Sequence, residues 1–365
     1  MHVTILLHAG CDHKSSQRRI LHYVPLLEQQ GIHCDLLPFY GPPPRAFRHC
    51  GQTGGNSLAS GISTRIKSLR QLTGQTDLLW IEQEALPHLP WMAENLLLPS
   101  DMPIVTDLGD TPFSNDSRHS KTGQIIRHST LVMVGNSHIG TQAHEAGASW
   151  VEVMPPPVPL SDFTPTERSY ADRKLRVGWI GTTDLWTSHA EKHFKSLEAF
   201  LGAHNAVARI IGARAGRSRC GQIDYHPRET DGEYRQISAM DIALAPLQDS
   251  QSEQGSCGYA VLRYMACGIP VIASPLGAQA EIIEHGVNGF LASTGEEWRK
   301  ALSDLLENPA LRQRIGTAGR TTVENLYTPD RLSPKMASLL TQAAGKKSRQ
   351  EQEHRFENGP ALLLK

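Results

Sequence analysis

Strand-like and helix-like segments alternate along almost the whole chain, and one proline-dense stretch interrupts them. Apolar runs at residues 3–8, 33–39, 76–82, 102–108 and 130–136 are each of strand length. Between the first two, Ile20, Val24 and Leu27 recur at helical spacing and Gly31 stands where that helix should stop. Pro25 inside the pattern predicts a kink. Strand, helix, strand at this spacing needs crossover connections, and crossovers make a parallel sheet. The stretch 41–60 is rich in loop residues and reads as an excursion.

Residues 153–165 then carry prolines at 155, 156, 157, 159 and 165, which excludes helix and central strand. Beyond them the alternation restarts. Strands are predicted at 174–181, 206–213, 241–247, 269–274 and 288–292, with helices at 189–204, 232–241, 258–268, 278–286, 296–308 and 309–326. The expected organisation is a first α/β domain over 1–154, a stiff linker over 155–168 and a second α/β domain over 169–328. A C-terminal helix at 329–344 follows. The tail, 345–365, is charged and poor in apolar residues, which predicts disorder in isolation.

Composition narrows the function. Thirty-six basic and 37 acidic residues give a net charge of -1, too little to coat a nucleic acid, so no nucleic-acid partner is expected. The cysteines at 11, 34, 50, 220, 257 and 267 form no C-x-x-C pair and read as reduced thiols. The N-terminus has no basic region before its apolar run, which stops at His8, and no apolar run approaches a membrane span of about 20 residues. A cytoplasmic location is the expectation. There is no H-E-x-x-H, no G-x-G-x-x-G opening either half and no G-x-x-x-x-G-K-[ST]. Metal, dinucleotide and P-loop chemistry are therefore not expected.

The informative region is 255–291. A glycine- and serine-containing loop enters a helix near Gly258, and the amides of Cys257, Gly258 and Tyr259 suit an anion. From Met265 to Phe290 the chain reads MACGIPVIASPLGAQAEIIEHGVNGF. This run resembles the donor half of the retaining nucleotide-sugar glycosyltransferases of the GT-B fold, glycosyltransferase group 1 or family 4-like. Residues 176–181, 240–247, 15–19, 134–148 and 151–158 are similar to other segments of that family.

The resemblance implies two Rossmann-like, doubly wound parallel-sheet domains facing a cleft. It implies an enzyme that moves a hexose from a UDP- or GDP-linked sugar to a hydroxyl acceptor with retention. The acceptor would be a glycan or lipid-linked molecule, and no cofactor is implied beyond the nucleotide sugar. The donor would meet Gly181, Thr182, Arg214, Cys257, Gly258, Tyr259, Arg263 and Glu281. Gly10, Arg18 and Arg19 would face acceptor or phosphate, and Asp107 and Asp110 would be catalytic. The plainer reading of the two aspartates is a helix cap or Asx-turn.

The chain also departs from the family pattern. Where relatives carry two glutamates it has Gly255 and Arg263, with Glu253 out of register. Ser256 and Ala260 stand where another branch has lysines, and Thr182 and Thr183 where Arg and Lys are common. Arg263 is therefore expected to meet the diphosphate charge through its planar fork. The competing expectation is an ion pair with a nearby acid such as Glu281. These departures also define a second reading, a catalytically silent subunit that binds nucleotide or scaffolds a partner glycosyltransferase. A protein partner or a peripheral membrane contact would fit that reading.

Overall fold

The computed structural model describes residues 1–43, 53–72, 76–109, 120–163, 173–213, 222–229 and 232–346. Two compact units emerge. Unit 1 is Met1–Pro157 together with the chain from Leu332 onward, and unit 2 is Val158–Arg331.

Unit 1 is built on a parallel sheet in the order β2-β1-β3-β4-β5-β6. Its strands are β1 (His2–Leu6), β2 (His33–Leu37), β3 (Leu78–Glu82), β4 (Ile104–Gly109), β5 (Leu131–Val134) and β6 (Val151–Val153). β3 and β4 are buried at every residue, as strands covered on both faces must be. The winding direction reverses between β1 and β3. In open α/β sheets such a reversal, at the carboxyl ends of the strands, is where ligands bind.

The helix expected after β1 is broken into pieces. A short helix, Lys14–Ser16, runs into a π-helical turn, Gln17–Leu21, and a new helix covers Val24–Gln29. Pro25 does not kink a continuous helix. It sits in the first turn of the last piece, where its missing amide costs nothing. The C-terminal helix Pro329–Gly345 returns to unit 1: Leu332, Met336, Leu339, Leu340 and Ala343 join the cluster formed by Val3, Ile5, Ile20, Val24 and Trp80.

Unit 2 repeats the plan with the order β12-β11-β10-β7-β8-β9. The strands are β7 (Leu175–Ile180), β8 (Ala206–Ile211), β9 (Ile223–His226), β10 (Ile242–Ala245), β11 (Val271–Ala273) and β12 (Phe290–Leu291). Its reversal lies between β7 and β10. Helices Glu191–Ala203 and Gly295–Glu307 cover one face through Phe194, Leu197, Leu201, Trp298 and Leu302. Helices Glu233–Ser238 and Tyr259–Ala266 cover the other through Ile237, Val261, Leu262 and Met265. A π-helical turn follows the first strand here as well, at Trp186–Ala190. It seats the buried Trp186 ring 5.3 Å from Trp179 and 5.6 Å from Phe194.

Cys11, Cys34, Cys257 and Cys267 are buried, while Cys50 and Cys220 lie outside the described residues. Among the described residues no helix is long and apolar enough to cross a membrane. No group of three or more His, Cys, Asp or Glu there is arranged to hold a metal ion.

Candidate functional site

In unit 2 the loops at the carboxyl ends of β7, β10 and β11 carry the expected donor residues. Helix Tyr259–Ala266 starts on Gly258, whose backbone is left-handed with φ of 70°. A Cβ at Gly258 would approach Ile282 Cδ1 to 2.6 Å, so the helix start is pressed against helix Gly277–Ile282. Glycine at the cap leaves no side chain to occupy the first amides of the helix, where a partial positive charge collects. Gly277 closes the loop from the other side: its φ is 50°, and a Cβ there would overlap the carbonyl oxygen of Gln254. Cys257 is buried beside this start.

Arg263 is only 7% exposed. Its guanidinium is ion-paired with Glu233 of helix Glu233–Ser238 and lies 5.1 Å from the centroid of the Tyr259 ring. Glu233 also receives a two-pronged contact from Arg228, with Nε to Oε2 and Nη2 to Oε1 both at 3.0 Å. Two guanidiniums thus share the Glu233 carboxylate. Glu233 is an acid that meets Arg263, while Glu281 is exposed on helix Gly277–Ile282. Burial lowers the Arg228 pKa, with Tyr264 and Tyr259 opposing.

Tyr264, one residue on, is fully enclosed, and its hydroxyl oxygen accepts the amide of Ile180, the last residue of β7, at 2.8 Å. Burial pushes its pKa up to about 12, although Arg263, Arg228 and the Ile180 amide pull it down. This bond holds the end of β7, where Gly181 and Thr182 follow. A Cβ at Gly181 would overlap the Trp179 ring, and exposed Thr182 caps the next turn by accepting the amide of Leu185 at 3.4 Å. Arg214 lies outside the described residues.

Arg228 and Glu233 were not anticipated from the sequence. Arg228 follows β9, which like β6 has no counterpart among the strands expected from the sequence, and its stem lies beside Gly212 at the end of β8. An Arg and a Glu five residues apart give no signal of a shared arginine on a third segment.

In unit 1 the structure brings together two expected residues, but inside the fold. Arg19, in the π-helical turn, is 6% exposed. Its Nε and Nη2 meet Asp107 Oδ1 at 3.0 and 2.9 Å, and its Nη1 donates to the carbonyl of Met154 at 2.6 Å. Asp107, near the end of β4, also accepts the amide of Gly109 at 3.0 Å. It pairs in register with Glu82 of β3. Burial raises the Asp107 pKa most strongly and Glu82 adds to this, against the charge and hydrogen bonds of Arg19 and the Gly109 amide. Arg18 is half-buried beside Arg19, Gly10 is buried in the loop after β1, and Asp110 lies outside the described residues.

The comparisons match this architecture. Residues 204–308 match the family model described as glycosyl transferases group 1. N-acetyl-alpha-D-glucosaminyl L-malate synthase of Bacillus anthracis is 30% identical over 93 residues, 25% of this chain and 24% of that enzyme. The first curated relatives are thus matched over only 24–30% of their own length. Sucrose-phosphate synthase from Thermosynechococcus elongatus shares the fold with a TM-score of 0.66 at 14% identity, covering 93% of this chain and 98% of that one. HepE of Anabaena, solved with UDP-glucose, shares it with a TM-score of 0.67 at 15% identity, covering 94% and 100%. The chain has the GT-B fold, and its residues 204–308 are similar to the glycosyl transferases group 1.

Proposed function

We propose that the protein is a glycosyltransferase that moves a hexose from a UDP- or GDP-linked sugar to a hydroxyl acceptor with retention. Unit 2 takes the nucleotide sugar and unit 1 the acceptor. The observation that carries this reading is the uncapped start of helix Tyr259–Ala266 at Gly258, beside the Arg228–Glu233–Arg263 cluster and within the segment that matches the family. A departing diphosphate needs hydrogen-bond donors and positive charge where its own charge develops. Main-chain amides at the helix start and the guanidiniums of Arg228 and Arg263 supply both in this reading. That HepE was solved with UDP-glucose supports the choice of a nucleotide sugar.

The test is calorimetric titration with UDP, GDP, UDP-glucose and GDP-mannose, followed by release or transfer of radiolabelled sugar from whichever donor binds. Saturable binding with sugar turnover is the expected result. Absence of binding to all four would end the reading, and binding without any turnover would select the silent-subunit alternative.

A further inference from the structure

Unit 2 holds a second concavity, lined by none of the residues assigned above to the nucleotide sugar. It lies just past the carboxyl ends of β10, β11 and β12, between helices Glu191–Ala203 and Gly295–Glu307. Its volume is about 190 Å³. A single water needs only about 10–15 Å³, and sites for drug-sized ligands run to roughly 300–1,000 Å³. The space therefore suits one small ring.

Its floor is apolar and fixed. Trp298 and Leu197 are buried core residues that line it. The His193 ring stands across Trp298, with centroids 4.4 Å apart and planes at 69°. On the opposite wall Leu247 is clamped by Ser274, whose Oγ accepts the Leu247 amide at 2.9 Å and donates to the Leu247 carbonyl at 3.2 Å. Walls held by packing and hydrogen bonds keep the cavity formed before any ligand arrives.

The rim is polar. The Ser196 hydroxyl donates to the His193 carbonyl at 2.7 Å, which leaves its oxygen able to accept. Across from it the Ser293 amide donates to Glu297 Oε2 at 2.6 Å, an oxygen that also accepts the Thr294 amide at 3.1 Å. The Glu297 charge is thus committed to the helix start, and these two amides lower its pKa. Arg299 is exposed, and its guanidinium lies beside Gly295: a Cβ there would stand 3.7 Å from Nη1 and 3.9 Å from Nη2. Arg299 makes no hydrogen bond or ion pair with the described residues. An uncommitted guanidinium offers a planar fork to a carboxylate or a phosphate.

We propose that this cavity is a second small-molecule site of unit 2 and takes a hexose-sized ring bearing one anionic group, a phosphate or a carboxylate. The ring packs on Trp298, His193 and Leu197, its hydroxyls meet the serines of the rim, and the anion pairs with Arg299. An apolar floor with a few polar groups that fix orientation is the usual make-up of such a site. The proposal stands apart from the transferase reading, because it involves neither the start of helix Tyr259–Ala266 nor the arginines around Glu233.

The test is calorimetric titration of the full chain with glucose 6-phosphate, glucuronate, glucose and inorganic phosphate, with and without excess UDP-glucose. Wild type is compared with Arg299→Ala and with Ser196→Phe, which places a ring in the mouth of the cavity. At least one of the two anionic sugars should bind saturably, about tenfold or more tighter than glucose or inorganic phosphate, and the tighter of the two identifies the anionic group. Arg299→Ala should weaken that binding about tenfold or more, the worth of one charge-assisted contact. Ser196→Phe should abolish it while unfolding at the wild-type temperature. Excess UDP-glucose should leave the affinity unchanged. Binding of neither anionic sugar, binding undiminished in Arg299→Ala, or displacement by UDP-glucose would overturn the proposal. Each of these results leaves the titrations with UDP and GDP, and the reading they test, unaffected.

Discussion

Arg263 and Glu233, from different helices of unit 2, form an ion pair in which Arg228 grips the same carboxylate from a third segment. The three charges are unequal in consequence. Removing Arg263 leaves a paired Arg228 and Glu233, whereas removing Glu233 leaves two guanidiniums facing each other with their counter-charge gone. Arg263→Ala should cost about 1.5–3 kcal/mol of stability, the worth of a charge-assisted contact. Glu233→Ala should cost more, about 3–5 kcal/mol, as for a buried charge stripped of its partner. Chemical denaturation of the two variants checks the order, and calorimetry with UDP or GDP checks whether Arg263→Ala also weakens nucleotide binding.

Tyr264→Phe should leave the Ile180 amide buried without an acceptor, at a cost of about 1–3 kcal/mol. Because that amide ends β7, the loss should be accompanied by weaker binding of any ligand that meets Gly181 and Thr182. Thermal unfolding and nucleotide titration on the same variant would separate the two effects.

Gly258→Ala and Gly277→Ala test the helix starts. Both positions have positive φ, which costs an L-residue roughly 1–2 kcal/mol. At Gly258 the new Cβ meets the movable tip of Ile282, but at Gly277 it meets the backbone of Gln254. Gly277→Ala should therefore be the more damaging substitution, by melting temperature and by soluble yield.

Arg19→Met removes the counter-charge of a buried carboxylate. Asp107 already has a raised pKa, mainly from burial, and losing Arg19 raises it further. A raised folded-state pKa means that stability from this group is present below the unfolded value and is lost as pH rises through the folded value. The variant should thus lose about 3–5 kcal/mol at neutral pH and recover part of it on acidification through the carboxylate range. A penalty independent of pH in denaturant titrations would show that the Arg19 contact to Met154, and not Asp107, dominates.

The architecture was legible because apolar runs and helical spacing repeat through both halves. Val3–Leu6, Trp80 and Val105 declared buried strands, and Phe194, Leu197 and Leu201 declared one face of a helix. β9 was missed because Ile223–His226 is only four residues long, buries only its first residue and ends among polar ones. The site was legible less evenly. Gly258 and the helix after it stood out, since a glycine before an apolar helical run is a local signal. The partner of Arg263 was not legible, because pairing depends on how helix Glu233–Ser238 packs on helix Tyr259–Ala266, which no spacing encodes. Arg19 and Asp107 were each singled out, yet their mutual contact depends on the packing of the π-helical turn against β4.

The helix Pro329–Gly345 has a consequence for the order of biosynthesis. The apolar surface of Ile20, Val24 and Trp80 is completed by Leu332, Met336 and Leu340, residues the ribosome adds only after all of unit 2. Unit 2 can close its core while unit 1 still waits for its last helix, so the usual vectorial order, N-terminal part first, is inverted for this chain. Chains truncated after residue 331 should therefore carry a folded unit 2 and an adhesive, protease-sensitive N-terminal half, the state in which a chaperone would find most to hold.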